Sequence, residues 1–296
     1  MNEIANRENS DDFLRLMRAR SQVYREAGWF QKAQLFLTVL MPLVAGLVGV
    51  FVPGFRPYAG ALAVVITLVD VSLLDRQQRK RLKLAAKISE KFDTGVLELP
   101  WNTFIGAPVE PELIERASRA WPKGVEKLRD WYAPQVSRAP IVLGRILCQR
   151  SNLRYDCELR RRYGNILLGL AIATAVVLIG IGVLNNLAPI ALVVTTLAPS
   201  SPILVWAIRE RFRQIDTGLA DDAMRGGVEK LWEQTSKSQI DEAESTARSR
   251  TLQDAIFAHR SSSPLIFPFI YDRMRPRLEV EMHAGVDQLL REAGYP

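Results

Sequence analysis

Four long apolar stretches, grouped in two pairs, limit what this chain can fold into. The first, residues 33–52, carries no charged side chain, and the second, 58–74, is interrupted only by Asp70. The third, 165–184, reads NILLGLAIATAVVLIGIGVL, and the fourth, 187–208, reads LAPIALVVTTLAPSSPILVWAI. A helix needs about 20 residues, and at least roughly 17, to cross the hydrocarbon core of a bilayer. All four stretches meet that bound, the second narrowly. With 48% of 296 residues apolar, composition alone suits either a large soluble domain or a membrane protein. The concentration into four blocks decides, because buried core helices of soluble proteins seldom run this long without charge. The expectation is an all-α integral membrane protein with four transmembrane helices in two hairpins.

The flanks set the topology. Only PGFRP, with Arg56, separates the first two blocks, and only Asn185-Asn186 separates the last two. Each tip can therefore cross the membrane cheaply. The opposite ends are basic: Arg76, Arg79, Lys80, Arg81, Lys83, Lys87 and Lys91 follow the second block. Arg150, Arg154 and Arg160 to Arg162 precede the third, and Arg209, Arg211 and Arg213 follow the fourth. Lys and Arg near helix ends stay on the cytoplasmic side. This places residues 1–32, 75–164 and 209–296 in the cytoplasm and the hairpins at 33–74 and 165–208 in the cytoplasmic (inner) membrane. Residues 1–32 are polar and of mixed charge, unlike a secretory signal.

The cytoplasmic segments read as helical. Leu84, Ile88 and Phe92 recur at i, i+4, i+8 with lysines on the other faces, so the second membrane helix is expected to continue through Arg76–Phe92. Pro111 suits a helix start ahead of ELIERASRAW. Residues 203–236 and 275–293 show apolar spacing of three and four. Gly226-Gly227 and the SSSP run at 261–264 read as breaks.

Catalytic signatures are missing from the pattern. There is no phosphate-binding Gly-rich loop, no HExxH, no nucleophile elbow and no metal-ligand cluster, so neither an enzyme nor a metal or organic cofactor is expected. His259 and His283 have no carboxylate at ligand spacing and read as structural. Cys148 and Cys157 read as packed thiols in a reducing compartment.

Within the membrane, Pro199-Ser200-Ser201-Pro202 lies more than halfway across the fourth block. Two prolines remove backbone donors, so the helix should kink or unwind there, and the freed carbonyls need a neighbouring helix, the serine hydroxyls or pore water. A packed kink and a polar lining or gate both remain open. Asp70 sits about one turn from the cytoplasmic end, shallow enough to reach water, yet an intramembrane carboxylate also suggests function. Gly169, Ala171, Ala173 and Ala175 permit close helix contact. Just before the third block, CQRSNLRYD and ELRRRY combine arginines with Asn and Tyr. Arginine forks suit phosphate oxygens, while juxtamembrane basic clusters also attract anionic headgroups. Arg160 to Arg162 suit lipid best; Arg150 and Arg154, a turn apart on one face, suit a ligand better.

The run ILCQRSNLRYDCELRRRYG at 146–164 resembles a signature of the SMODS-associated four-transmembrane effector family. LPWN at 99–102, DWYAP at 130–134, RTLQDAIFAHR at 250–260, YDRMRPRLEVEM at 271–282 and the opening NRENSDDFLRLMRARSQVY are similar to that family as well, over essentially the whole chain. The resemblance implies a pore-forming effector of bacterial anti-phage defence of the CBASS type. It would be triggered by a cyclic di- or oligonucleotide made on infection, and would permeabilise the inner membrane to kill or arrest the cell. No catalytic residues carry over. The motif positions Arg150, Asn152, Arg154, Arg250, Gln253, Asp254 and Arg260 become candidates for messenger binding or for the helix contacts that transmit it. Trp101, Asn102, Trp131 and Tyr132 suit the packed centre of the middle segment better than base stacking. The partners expected are the messenger, the bilayer and further copies of the chain, but no polymeric nucleic acid. Two other classes remain open. A constitutive channel or transporter would pass ions without nucleotide, and a membrane-anchored scaffold would never leak.

Overall fold

The computed structural model describes residues 1–186, 188–193 and 198–296, which contain no strand. The helices are α1 (Ile4–Glu8), α2 (Asp11–Leu35), α3 (Met41–Phe51), α4 (Arg56–Val69), α5 (Asp75–Val96), α6 (Pro111–Arg119), α7 (Ile141–Leu184), α8 (Pro189–Leu192), α9 (Ala198–Ser236), α10 (Glu242–Ser262) and α11 (Pro268–Glu292). They divide into two compact units. One comprises Met1–Glu26, Lys80–Leu159 and Thr217–Pro296; the other comprises Ala27–Arg79 and Arg160–Asp216.

The first unit has an ordinary hydrophobic core. The i, i+4 row on α5 places Ile88, Phe92 and Val96 inside, where they meet Tyr132, Ile146 and Leu147 of the middle segment and Val228, Ile256 and Leu290 from the C-terminal helices. Phe92 lies edge-on to Phe13 and stacked on Tyr132, with centroids 5.9 and 6.3 Å away. Burying side chains of this size contributes roughly 1.5–3 kcal/mol each. Gly95 permits the approach of α2, because a Cβ there would lie 2.6 Å from Phe13 Cε1. Cys148 is wholly buried in this core, which pushes its thiol well above the usual range.

Two sequence-based boundaries have different outcomes. The chain does break after Ser262, and α11 starts at Pro268. Gly226-Gly227 makes no break: both lie inside α9. Glycine costs about 1 kcal/mol in a helix interior, and here Val228, Leu231 and Trp232, one turn on, bury against the core and hold the helix through it.

The second unit is built the other way round, with its large apolar side chains outward. Val64, Val65, Leu68, Val71, Ile172, Val176, Val177, Val183 and Leu184 are all more than half exposed. Two helical runs, Pro57–Val96 and Ile141–Leu184, are long and apolar enough to cross a membrane. Only 6% and 17% of their most apolar stretches are buried within the protein, unlike a soluble core helix. The first and fourth apolar blocks do not qualify as unbroken spans among the described residues. The first runs through the end of α2, a π-helical turn at Phe36–Leu40 and α3, and the side chains of Leu47, Val50 and Phe51 lie outside the described residues. The fourth includes Leu187 and Val194 to Leu197, which lie outside the described residues, as do the side chains of Arg56 and Pro199.

Within this unit Asp70 opens a second π-helical turn, Asp70–Leu74, and accepts a 2.8 Å hydrogen bond from Gln34 Nε2. A π turn widens the helix and often marks a functional position; nothing in the sequence pattern foretold the pair. At the other hairpin, Asn186 takes a left-handed conformation (φ 48°) and Asn185 Nδ2 donates to Ile181 O at 2.7 Å, closing the end of α7. The close approach falls at Gly182, where a Cβ would meet Leu192 Cδ1 at 2.3 Å, whereas Gly169 faces open space.

The Pro-Ser-Ser-Pro segment forms the first turn of α9. Pro202 cannot supply the N–H that would bond the Ala198 carbonyl four residues back. That carbonyl instead accepts from Ser201 Oγ at 2.8 Å, so a serine hydroxyl replaces the missing backbone donor. Ser200 is buried and Ser201 exposed.

Candidate functional site

The family-like motifs that sequence reading singled out converge inside the first unit. Helix α5 carries Glu90 and Asp93 one turn apart, 0% and 2% exposed. On α10, Arg250, Gln253 and Asp254 share a face by their i, i+3, i+4 spacing, with Arg260 seven residues beyond Gln253. Arg250 donates to Glu90 Oε1 and to Asp254 Oδ1, both at 2.7 Å, and to the Pro100 carbonyl at 3.0 Å. Gln253 Nε2 donates to Glu90 Oε2 at 2.8 Å and to Asp93 Oδ2 at 3.3 Å. Arg260 Nη1 reaches Asp93 Oδ2 at 2.7 Å.

The middle segment completes the network. Tyr132 Oη donates to Asp93 Oδ1 at 2.8 Å and accepts from Asn152 Nδ2 at 3.2 Å. Asn102 Nδ2 donates to Asp254 Oδ1 at 2.9 Å while Asn102 Oδ1 caps the short 3-10 turn at Phe104 N. Gln149 Nε2 donates to Gln253 Oε1 at 3.1 Å, and its Oε1 accepts from Ser249 Oγ at 2.7 Å. Two guanidinium groups thus face three carboxyl groups. Burial raises the Glu90 carboxyl, against the Gln253 and Arg250 hydrogen bonds. Burial works to lower Arg260, but Asp93 and its neighbours outweigh it and hold that guanidinium more basic than usual. Arg250 Nε is left without a partner, but the remaining bonds join α5, α7, α10 and the middle segment, and interior polar networks of this kind hold helices in one arrangement.

Five of the seven candidate positions, Asn152, Arg250, Gln253, Asp254 and Arg260, therefore belong to an interior clamp whose polar groups already engage one another. Trp101 Nε1 donates to Gly106 O at 2.9 Å, and the Arg20 guanidinium lies 4.1 Å above the Trp131 ring. Tyr132 alone of the four proposed core residues is almost wholly buried.

Arg150 and Arg154 lie elsewhere, in a cleft between α7 and α11 that Tyr155, Glu158, Glu281, Met282 and Gly285 also line. Arg154 is exposed. Arg150 bonds Glu229 Oε1 at 3.1 Å, and Arg225 approaches the same carboxylate at 3.6 Å. The Arg150 guanidinium is less basic than usual. Burial is the largest cause, Glu229 opposes it, and the like charges of Arg154 and Arg225 add to it. Three arginines, Arg150, Arg154 and Arg225, thus stand here among the carboxylates of Glu158, Glu229 and Glu281.

Another buried carboxyl carries a pH consequence. Glu8, 2% exposed, accepts the Tyr132 backbone N–H at 3.0 Å. Burial, reinforced by Asp130 and opposed by that N–H, pushes its carboxyl up from 4.5 to about 8. The folded state favours the protonated form, so this stabilisation is complete below the ordinary carboxyl value and is lost as the pH rises to about 8. Stability should fall between about pH 5 and 8 with a slope approaching ~1.4 kcal/mol per pH unit from this group. Glu90 shifts in the same sense. In urea melts, Glu8→Gln should remove the Glu8 share of that slope and leave the Glu90 share.

The profile of the SMODS-associating 4TM effector domain matches residues 2–289 of the chain. The chain is also similar to a probable CBASS effector molecule of Bacillus cereus (strain VD146). The two are 24% identical over 268 residues, which cover 88% of this chain and 89% of that protein. No solved structure matches.

Proposed function

Because the chain belongs to the SMODS-associating 4TM effector family, we propose that it is a membrane-inserted effector of bacterial anti-phage defence. A cyclic di- or oligonucleotide would open it, and its output is permeabilisation of the inner membrane. In this reading all four apolar blocks cross the bilayer as two hairpins. Their basic ends and both termini stay cytoplasmic, and several copies assemble around the conducting path. The observation that carries the reading is the contrast between the units. One exposes its large apolar side chains along helices of spanning length, and the other closes on a core threaded by a charged network.

The two groups of motif residues then divide the work. The cleft at Arg150 and Arg154 takes the anionic messenger, whose phosphates pair with these arginines in competition with Glu158, Glu229 and Glu281. The interior clamp of Glu90, Asp93, Gln253, Arg250 and Arg260 holds the resting arrangement. A ligand shifts such a balance only by its differential affinity for the two states, so the messenger must bind better where the cleft is rearranged or completed by another copy. The reading assigns no catalytic step to the chain.

The test is dye release from liposomes loaded with the purified chain and exposed to a panel of cyclic di- and oligonucleotides. Release with one messenger alone is the expected result. Release without any nucleotide would replace the reading with a constitutive channel, and no release under any trigger would replace it with a scaffold.

A further inference from the structure

We propose that Asp156, Asp221 and His259 form a binding site for a first-row divalent cation of the Zn2+ or Mn2+ class, independent of the messenger cleft. The three residues come from α7, α9 and α10, and all lie in the first unit. One ligating atom from each lies within 4.8 Å of the others, and His259 Nε2 is 3.1 Å from Asp221 Oδ1. Donors about 2.1 Å from a common cation and at right angles around it stand about 3.0 Å apart, so the His259–Asp221 pair already has the spacing of neighbouring ligands, and Asp156 closes the set by a small side-chain movement.

Two further observations favour a cation over a simple ion pair. Asp221 is 2% exposed, so its carboxylate is held in the interior by the packing of α9. His259 Nε2 is itself buried, yet its ring N–H makes no aligned hydrogen bond despite the 3.1 Å approach of Asp221. Sequence reading assigned His259 a structural role for want of a nearby carboxylate; its carboxylate partner lies 38 residues back on another helix.

The donor chemistry narrows the ion. An imidazole nitrogen disfavours Mg2+ and Ca2+, which prefer all-oxygen shells, and the lack of a thiolate in the set disfavours Cu+. One nitrogen and two carboxylates, completed by water, suit Zn2+ or Mn2+. A bound cation would tie α7, α9 and α10 together within this unit.

The experiment uses the full-length chain in detergent, stripped with a chelator and dialysed. Titration with Mn2+ followed by electron paramagnetic resonance, and with Zn2+ by calorimetry, should give one equivalent per chain, and millimolar Mg2+ should not compete. Co2+ should give visible ligand-field bands from the bound ion. His259→Ala and Asp156→Asn should each weaken binding at least tenfold, while Asp272→Asn, an exposed change on α11, should leave it unaltered. Circular dichroism identifies any variant that fails to fold, and the wild-type stoichiometry and Co2+ spectrum then decide the matter without it. Binding below one tenth of an equivalent in the wild type overturns the site. So does unchanged affinity in a folded His259→Ala, which would leave His259 and Asp221 as an ion pair only.

Discussion

Arg260→Ala should destabilise the first unit by about 3–5 kcal/mol, the range for removing one partner of a buried ion pair. Asp93 is 2% exposed and has the Arg260 guanidinium at 2.7 Å as its cation. After truncation it keeps only the neutral donors Tyr132 Oη and Gln253 Nε2. For a helical unit of this size the loss corresponds to a fall in Tm on the order of 10 °C, read by circular dichroism in detergent. Asp93→Asn/Arg260→Met removes both charges and keeps hydrogen-bonding capacity at position 93. Its cost should fall below the sum of the single changes by at least about 1 kcal/mol. A loss under 1 kcal/mol for Arg260→Ala would mean that Asp93 takes up a proton or water at little cost, and the clamp would then be incidental to the fold.

The same two residues illustrate what was legible in the sequence. Arg260 was visible because it sits in a motif, RTLQDAIFAHR, that resembles a family signature. Asp93 and Glu90 were not, although they hold the network together. They lie on a helix whose other faces are lysine-rich, and period counting registered only Leu84, Ile88 and Phe92 on it. The available signal was finer: Glu90 and Asp93 are one turn apart and flank Phe92, the residue assigned to the core. Charge spacing within a helix is legible; the identity of a cation 160 or more residues away is not, because it depends on how α5 and α10 pack. The same holds for His259 and Asp221. Long apolar runs were the most legible feature, since hydrophobic periodicity needs no partner to interpret. The π turns at Phe36–Leu40 and Asp70–Leu74 were invisible because their sequences, FLTVL and DVSLL, satisfy an α-helix equally well. Gly226-Gly227 was read as a break because propensity was weighed without the anchoring of Val228, Leu231 and Trp232.

Arg150→Glu/Arg154→Glu should abolish messenger-triggered dye release while leaving membrane insertion intact. Each arginine–phosphate contact in a binding site contributes about 1.5–3 kcal/mol. Losing two should therefore weaken the messenger at least about 100-fold, and reversing the charges adds repulsion. The two positions differ in what else they do. Arg154 is exposed, so Arg154→Glu should leave stability unchanged and by itself shift the messenger concentration for half-maximal release at least tenfold. Arg150 is 15% exposed and bonded to Glu229, so Arg150→Glu sets two carboxylates together and adds a folding cost of its own. Arg150→Gln separates these effects, because it removes the charge without creating that repulsion. If Arg154→Glu and Arg150→Gln both release dye at wild-type messenger concentrations, the cleft is not the sensor. The interior clamp would then have to open to admit the nucleotide, and Arg260→Ala, which weakens that clamp, would be expected to lower the trigger threshold. If the cleft is the sensor, Arg260→Ala should instead raise release without any messenger and leave the half-maximal concentration of the remainder nearly unchanged. The clamp variant and the cleft variants therefore move different quantities, and measuring both on the same liposomes assigns sensing and restraint to separate sets of side chains.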